Sequence, residues 1–253
     1  MDLGLTNKVA LVTGASRGIG RAIALCLAAE GAQVGVNFVR HPAAADEVVA
    51  TIRRKGGQAI AVQADVAKRS QVEAMVREVT AELGPIDILV NNAAISNVLP
   101  LDQLTEAQWD RMMNVNLKGL FICARAVMPA LKERGWGRIV SFASIAGKNG
   151  SAMEAHYAAS KAGVINLTRS LARHLAPYNV TVNCIAPGSV DTDMFTQWLN
   201  MSGKDKAEAM TWAPLGRIAT PEDIANVVVF LTSDLAGFVT GETINVNGGL
   251  LMD

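Results

Sequence analysis

Short apolar runs and longer amphipathic stretches alternate along almost the whole chain, and few folds accept that pattern. Segments 8–13, 33–38, 59–64, 87–91, 137–142, 180–185 and 243–246 read as seven strands. Segments 18–30, 42–55, 70–83, 105–134, 155–176 and 220–233 read as six helices. The punctuation agrees: Gly31, Gly56-Gly57 and Gly84-Pro85 close three helices. Ser70 with Glu73 and Thr105 with Gln108 have capping-box spacing, and Thr220-Pro221-Glu222-Asp223 opens a third helix. Pro129 is expected to bend or interrupt the long helix, because it lacks an amide donor. Strict alternation implies right-handed crossovers and one doubly wound parallel α/β sheet with helices on both faces. No linker or repeat breaks the series, so residues 1–253 are expected to form a single domain. Segment 187–219 has no clear pattern and carries Trp198, Met201, Met210 and Trp212; its length suits a substrate lid.

Charge and composition exclude several classes. Lys plus Arg and Asp plus Glu both number 23, so no basic field would steer the chain to nucleic acid or an anionic membrane. The longest apolar run, 22–29, falls far short of the ~20 residues that cross a bilayer. The first residues lack the basic and apolar blocks of a signal peptide. Cys26, Cys123 and Cys184 are scattered and odd in number, which suits a reducing cytoplasm and neither a disulfide framework nor a metal site.

Thr13-Gly14-Ala15-Ser16-Arg17-Gly18-Ile19-Gly20 lies where the first strand becomes the first helix. Glycines let the backbone turn tightly and approach a ligand, and a helix N-terminus offers free amides to a pyrophosphate. The spacing is looser than the usual dinucleotide fingerprint, but its place at the head of a βαβ unit points to dinucleotide binding. Folds that hold NAD place an acid at the end of the second strand. Here that segment reads Asn37-Phe38-Val39-Arg40, and Arg17 can reach the same place. Two guanidinium groups suit a 2′-phosphate, so NADP(H) is expected over NAD(H).

Tyr157 and Lys161 stand four residues apart on one helix, hence on the same face. An ammonium one turn on is expected to lower the phenol from its usual ~10, so that Tyr157 can exchange a proton with a carbonyl or alcohol. Ser144 follows the fifth strand at the carboxyl edge of the sheet, where it can share one substrate oxygen with Tyr157. Ser141, within the strand, and Ser151, in the connection, rank lower.

These segments, with Asp65-Val66, Asn91-Asn92-Ala93-Ala94, Asn116, Pro187-Gly188 and Thr192, resemble the short-chain dehydrogenase/reductase family over essentially the whole chain. The resemblance implies a Rossmann fold and a catalytic set of Asn116, Ser144, Tyr157 and Lys161. It implies that Gly14, Ser16, Arg17, Gly18, Ile19, Gly20, Asn37 and Arg40 line the cofactor's phosphate and adenosine end. Asp65 and Val66 would meet the adenine, and Asn92 and Ala93 the central strand beside the cofactor. Pro187, Gly188, Val190 and Thr192 would hold the nicotinamide, and Tyr157 and Lys161 its ribose. Asn116, at an irregularity in the long helix, would hold a water that relays protons through Lys161.

Within the family the pattern is most similar to the 3-oxoacyl-[acyl-carrier-protein] reductases, through Tyr157-Ala-Ala-Ser-Lys161-Ala-Gly163, Ala186-Pro-Gly188 and Val246-Asn-Gly-Gly249. These features serve cofactor and fold more than substrate. Docking an acidic carrier calls for exposed cations. Where such reductases carry basic residues, this chain has Gly135-Trp136 and Tyr178, with Arg134, Arg138 and Arg173 as substitutes. Ser144, Glu154, Tyr157 and Trp198 are the candidate substrate contacts. A carrier-bound carbonyl is the first expectation; a small ketone, sugar or polyol is the alternative, and a non-catalytic NADPH sensor is a distant third. The resemblance further implies a homotetramer that pairs the long helices between subunits, with the tail Leu250-Leu251-Met252 at another interface.

Overall fold

The computed structural model describes residues 2–253. Seven parallel strands, β1 Val9–Val12, β2 Gln33–Phe38, β3 Ala59–Gln63, β4 Ile88–Asn91, β5 Gly137–Phe142, β6 Val180–Pro187 and β7 Thr243–Val246, form one sheet in the order β3-β2-β1-β4-β5-β6-β7. The helices are α1 Gly18–Ala29, α2 Pro42–Arg54, α3 Arg69–Leu83, α4 Glu106–Met113, α5 Gly119–Arg134, α6 Ala146–Asn149, α7 Ala155–Leu175, α8 Asp193–Ser202, α9 Lys206–Met210 and α10 Pro221–Thr232. The chain order reverses at β1, which pairs with β2 on one side and β4 on the other, and this opens a crevice at the carboxyl ends of those strands.

Alternate side chains of the buried strands feed two cores. Ala10 and Val12 of β1 pack with α1, α2 and α10 on one face; Val9 and Leu11 pack with α3, α5 and the end of α7 on the other. This explains why the strands read as near-continuous apolar runs rather than alternating ones.

Several boundaries differ from the sequence reading. Helix α3 starts at Arg69 with Lys68 at its N-cap, which leaves Ser70 inside the first turn, so the capping pair expected there does not form; Glu73 instead accepts from Arg69 Nε at 2.7 Å. The capping boxes at Thr105 and Thr220 do form. The long helix 105–134 is broken by a π-helical turn, Asn114–Lys118, between α4 and α5. Pro129 does not end α5; it lies on the exposed side, where solvent can take the carbonyl that its missing amide leaves free. Segment 187–219 is not patternless. It holds α8 and α9, opened by Thr192 and Asp205, whose side chains accept from the backbone amides of Phe195 and Glu208. These helices close a small core of their own around Leu199, Ala209 and Ile218.

Candidate active site

The glycine turn is bolted to the strand beside it. Thr13 Oγ1 donates to the Val90 carbonyl at 3.2 Å and accepts from the amides of Asn92 and Ala93, both at 3.0 Å. Asn92 Nδ2 donates back to the carbonyls of Thr13 (2.9 Å) and Gly14 (3.0 Å). Gly14 and Gly18 take positive φ values of 63° and 56°, which L side chains rarely adopt. A Cβ on Gly20 would strike the Gly14 carbonyl oxygen and the Asn92 amide nitrogen.

Helix α1 begins at Gly18 with no side-chain cap and no acid in its first turn. Its leading amides are therefore open to an anionic ligand. A cradle that a Cβ would fill, at an uncapped helix start, fits a dinucleotide pyrophosphate. Ser16 is buried in the turn, and Ile19 packs on the α1 side of the sheet. Asp65 accepts the Ala67 amide at 3.0 Å; Val66 is buried beside Gly119, where a Cβ would come within 2.9 Å of its Cγ2.

One expected cofactor residue is turned inward. Asn37 is fully buried, and its carboxamide accepts the Gly14 amide at 3.1 Å while donating to the carbonyls of Val62 (3.3 Å) and Ala64 (3.0 Å). It fastens β2, β3 and the glycine turn together and does not point outward to a ligand. Arg17 pairs with Asp193 at the start of α8, 3.2 Å away, in an exposed bridge that a ligand phosphate can outbid; Arg40 is exposed.

At the other side of the crevice, the Ile145 amide donates to the Pro187 carbonyl at 3.2 Å, joining the Ser144 turn to the end of β6. Gly188 fits because a Cβ there would lie 2.9 Å from Asn247 Cβ. Val190 is buried and bridges to Ala219. Thr192 packs over the glycine turn, its Cγ2 3.4 Å from where a Gly18 Cβ would stand. Segment 187–192 thus spans the mouth between the Ser144 turn and the phosphate cradle.

Ser144 and Tyr157 meet. Burial pushes the enclosed Tyr157 phenol up to about 12, the Glu154 carboxylate adds to the rise, and the adjacent Ser144 hydroxyl opposes it. Lys161 is buried, and burial pushes its ammonium down to about 8. Its Nζ donates to the Phe142 carbonyl at 2.7 Å and stands 5.5 Å from the centre of the Tyr157 ring. The ammonium faces a β5 carbonyl, and burial is the leading influence on both groups.

Asn116 occupies the π-helical turn, a device frequent at functional sites. Its carboxamide clamps residue 95 through both the Ile95 amide and carbonyl, each at 2.9 Å, and reaches Ser160 Oγ at 3.3 Å. Ser160 Oγ donates in turn to the Tyr157 carbonyl at 2.7 Å. The Asn116 side chain is thus engaged in shaping the loop after β4. Glu154 is buried between Ser96 and Trp198 rather than solvated at the helix start.

Ser96 and Ser160 escaped the sequence reading. Ser160 lies inside the Tyr157-x-x-x-Lys161 motif and was within reach of it; Ser96 carries no local signal. Arg134 and Arg138, taken as possible docking cations, are neutralised by Asp87 (2.8 Å) and Asp234 (3.3 Å), and Arg138 is buried. Both flank the start of β5, at the opposite edge of the sheet from Ser144. Arg173 is exposed, but lies 16 residues beyond Tyr157 along α7, which at ~1.5 Å per residue is about 24 Å away.

Comparison with known proteins places the chain. Residues 14–251 match a family model described as enoyl-(acyl carrier protein) reductase. The chain is 46% identical over 246 residues to the 3-oxoacyl-[acyl-carrier-protein] reductase FabG of Staphylococcus epidermidis, covering 97% of this chain and 100% of that one. It is 44% identical over 249 residues to the 3-oxoacyl-[acyl-carrier-protein] reductase of a Synechocystis species, covering 98% of each. A crystal structure of a dehydrogenase/reductase from Sinorhizobium meliloti superposes with a TM-score of 0.92 at 38% identity, over 99% of this chain and 98% of that one. The chain belongs to the short-chain dehydrogenase/reductase family, oxidoreductases that interconvert carbonyl and hydroxyl groups.

Proposed function

We propose that this protein is an NADP(H)-dependent reductase of a 3-oxoacyl group carried on acyl carrier protein. The observation that carries the reading is the Ser144 hydroxyl beside a half-buried Tyr157, with the Lys161 ammonium one turn further along the same helix. When bound, the nicotinamide cofactor supplies the hydride. The Tyr157 hydroxyl gives its proton to the carbonyl oxygen as negative charge builds there, and Ser144 donates a hydrogen bond to the same oxygen. Lys161 leaves an ammonium one turn from the phenolate and holds the ribose. The phenolate then regains a proton by way of Lys161, with Asn116 shaping that path. Gly14, Gly18, Gly20 and the free amides of α1 hold the pyrophosphate, while Arg17 and Arg40 hold the 2′-phosphate in preference to the unphosphorylated ribose.

Residues 1–253 serve as one domain, in which 187–219 is the lid. Subunits pair through the α4–α5 and α7 face, which bears an open apolar groove of about 470 Å³ lined by Met113, Leu117, Phe121 and Leu167. Fully exposed Phe238 marks a second contact, and the assembly is a homotetramer. Three unpaired cysteines suit the cytoplasm, and among the described residues no helix is long and apolar enough to cross a membrane.

One observation favours a second substrate class. Arg134 and Arg138 are already paired, and the site carries an acid at Glu154, so a small ketone, sugar or polyol is the competing substrate. Loss of NADPH absorbance with an acetoacetyl thioester, set against a panel of ketones and sugars, decides between them. Tyr157→Phe should lower turnover by about 10²- to 10⁴-fold while NADPH binding persists. Near-normal turnover in that variant would refute the proton-donor role.

A further inference from the structure

Glu154 precedes Tyr157 by three residues and is only 6% exposed. A buried carboxylate needs partners, and this one has two neutral donors. Its Oε1 accepts from Ser96 Oγ at 2.6 Å, and its Oε2 from Trp198 Nε1 at 2.7 Å. Ser96 belongs to the loop after β4, Trp198 to α8, and Glu154 itself to the residue before α7. One side chain thus joins three walls of the crevice. The joint reaches further, because Trp198 stacks on Phe195 (6.2 Å between ring centres) and meets Trp212 edge-on (5.9 Å). Whatever holds Trp198 therefore holds the small core of α8 and α9.

We propose that Glu154 is a positioning residue: its carboxylate is the clasp that fastens α8 across the substrate crevice, and it stands about one helical turn before the proton-donating Tyr157. The proposal rests on the functional reading above.

One opposite charge stands nearby: the Lys161 ammonium, which donates to the Phe142 carbonyl and lies 5.5 Å from the centre of the Tyr157 ring. Ser96 and Trp198 are neutral. On its own helix Glu154 is followed by His156, which is buried and kept below its ordinary value by burial, and by Tyr157 and Lys161. Beneath Lys161 lies Cys184 of β6, a thiol that burial pushes up. The charged groups of α8 and α9 are occupied elsewhere: Asp193 with Arg17, Lys204 with Glu208, and Lys206 with Asp191. The Glu154 carboxylate is thus the charge that adds to the rise in Tyr157.

Two variants separate clasp from charge. Trp198→Phe removes the Nε1 donor and keeps an aromatic ring. It should raise KM for the carbonyl substrate about tenfold, speed proteolytic cutting within 193–210, and leave the pH profile of kcat in place. Glu154→Gln keeps the size and removes the charge. It should raise KM similarly, and it should also move the alkaline limb of kcat for reduction to lower pH. The sign follows because a phenol relieved of a neighbouring negative charge loses its proton more readily, and reduction needs that proton. NADPH titration by fluorescence, unchanged in both, certifies that each variant is folded. An unmoved pH limb in Glu154→Gln, or an unchanged KM in Trp198→Phe, overturns the proposal. If Tyr157→Phe is inactive while Glu154→Gln matches the parent protein, the clasp alone falls; if Tyr157→Phe keeps its turnover, the functional reading falls with it.

Discussion

The glycine turn and the α8–α9 segment face each other across one crevice and are built in opposite ways. The turn is fixed by backbone. Thr13, Asn92 and Asn37 pin it with buried hydrogen bonds, and Gly14, Gly18 and Gly20 occupy places where a Cβ is strained or collides. The α8–α9 segment packs mainly on itself and meets the rest largely through side chains: the buried Glu154–Trp198 bond and the exposed pairs Arg17–Asp193 and Lys206–Asp191. Exposed ion pairs contribute little, about 0–1 kcal/mol each. Its surface also leaves Met194, Met201 and Met210 in solvent. The turn proposed to hold the phosphate is thus tied by buried bonds to the backbone, and the segment proposed to cover the substrate is tied mainly by side chains.

The comparison breaks most easily at the turn. Gly20→Ala forces a Cβ into the Gly14 carbonyl, and should weaken NADPH binding by roughly 30-fold, equivalent to about 2 kcal/mol of strain. A fluorescence titration with parent-like affinity would mean that the turn is as compliant as the segment opposite. Next in size, replacing both Arg17 and Arg40 by Ala should raise the KM for NADPH about tenfold and leave that for NADH unchanged. Equal losses with both cofactors would assign the two arginines to the shape of the turn instead of to the 2′-phosphate. The smallest effect belongs to Trp212→Ala. It unpacks the α8–α9 core and should raise KM for the carbonyl substrate about threefold, with the urea unfolding free energy within about 1 kcal/mol of the parent value. A stability loss of about 3 kcal/mol or more, typical of a main-core truncation, would show that the segment is no separate unit.

The same contrast explains what could be read in the sequence. Strand and helix positions in β1–α1 and β4–β6 were legible because burial on two faces imposes apolar runs, and glycine marks turns that other residues cannot make. The Thr105 and Thr220 caps were legible as local chemistry. The Ser70 cap failed because the helix begins one residue earlier, at Arg69, which leaves Ser70 inside the first turn. Helices α8 and α9 were missed because they are short; the only helical stripe in α8, Phe195, Trp198 and Leu199, covers a single turn. Ser144, Tyr157 and Lys161 were legible as a motif, but the balance of forces on them was not. A four-residue spacing places Lys161 on the face of Tyr157; it does not show that the Phe142 carbonyl claims the ammonium. The bond from Ser96 to Glu154 spans 58 positions and leaves no trace in the sequence.

Asn37 sets a boundary for anyone wishing to redesign the nucleotide preference. The familiar way to favour an unphosphorylated ribose is an acid near the end of the second strand. At position 37 an aspartate could still accept the Gly14 amide, but it would have no proton to offer the carbonyls of Val62 and Ala64, and β2 would lose this side-chain tie to β3. Reprogramming therefore has to begin beyond the strand, at Val39 and Arg40, where a change of sign leaves the framework intact.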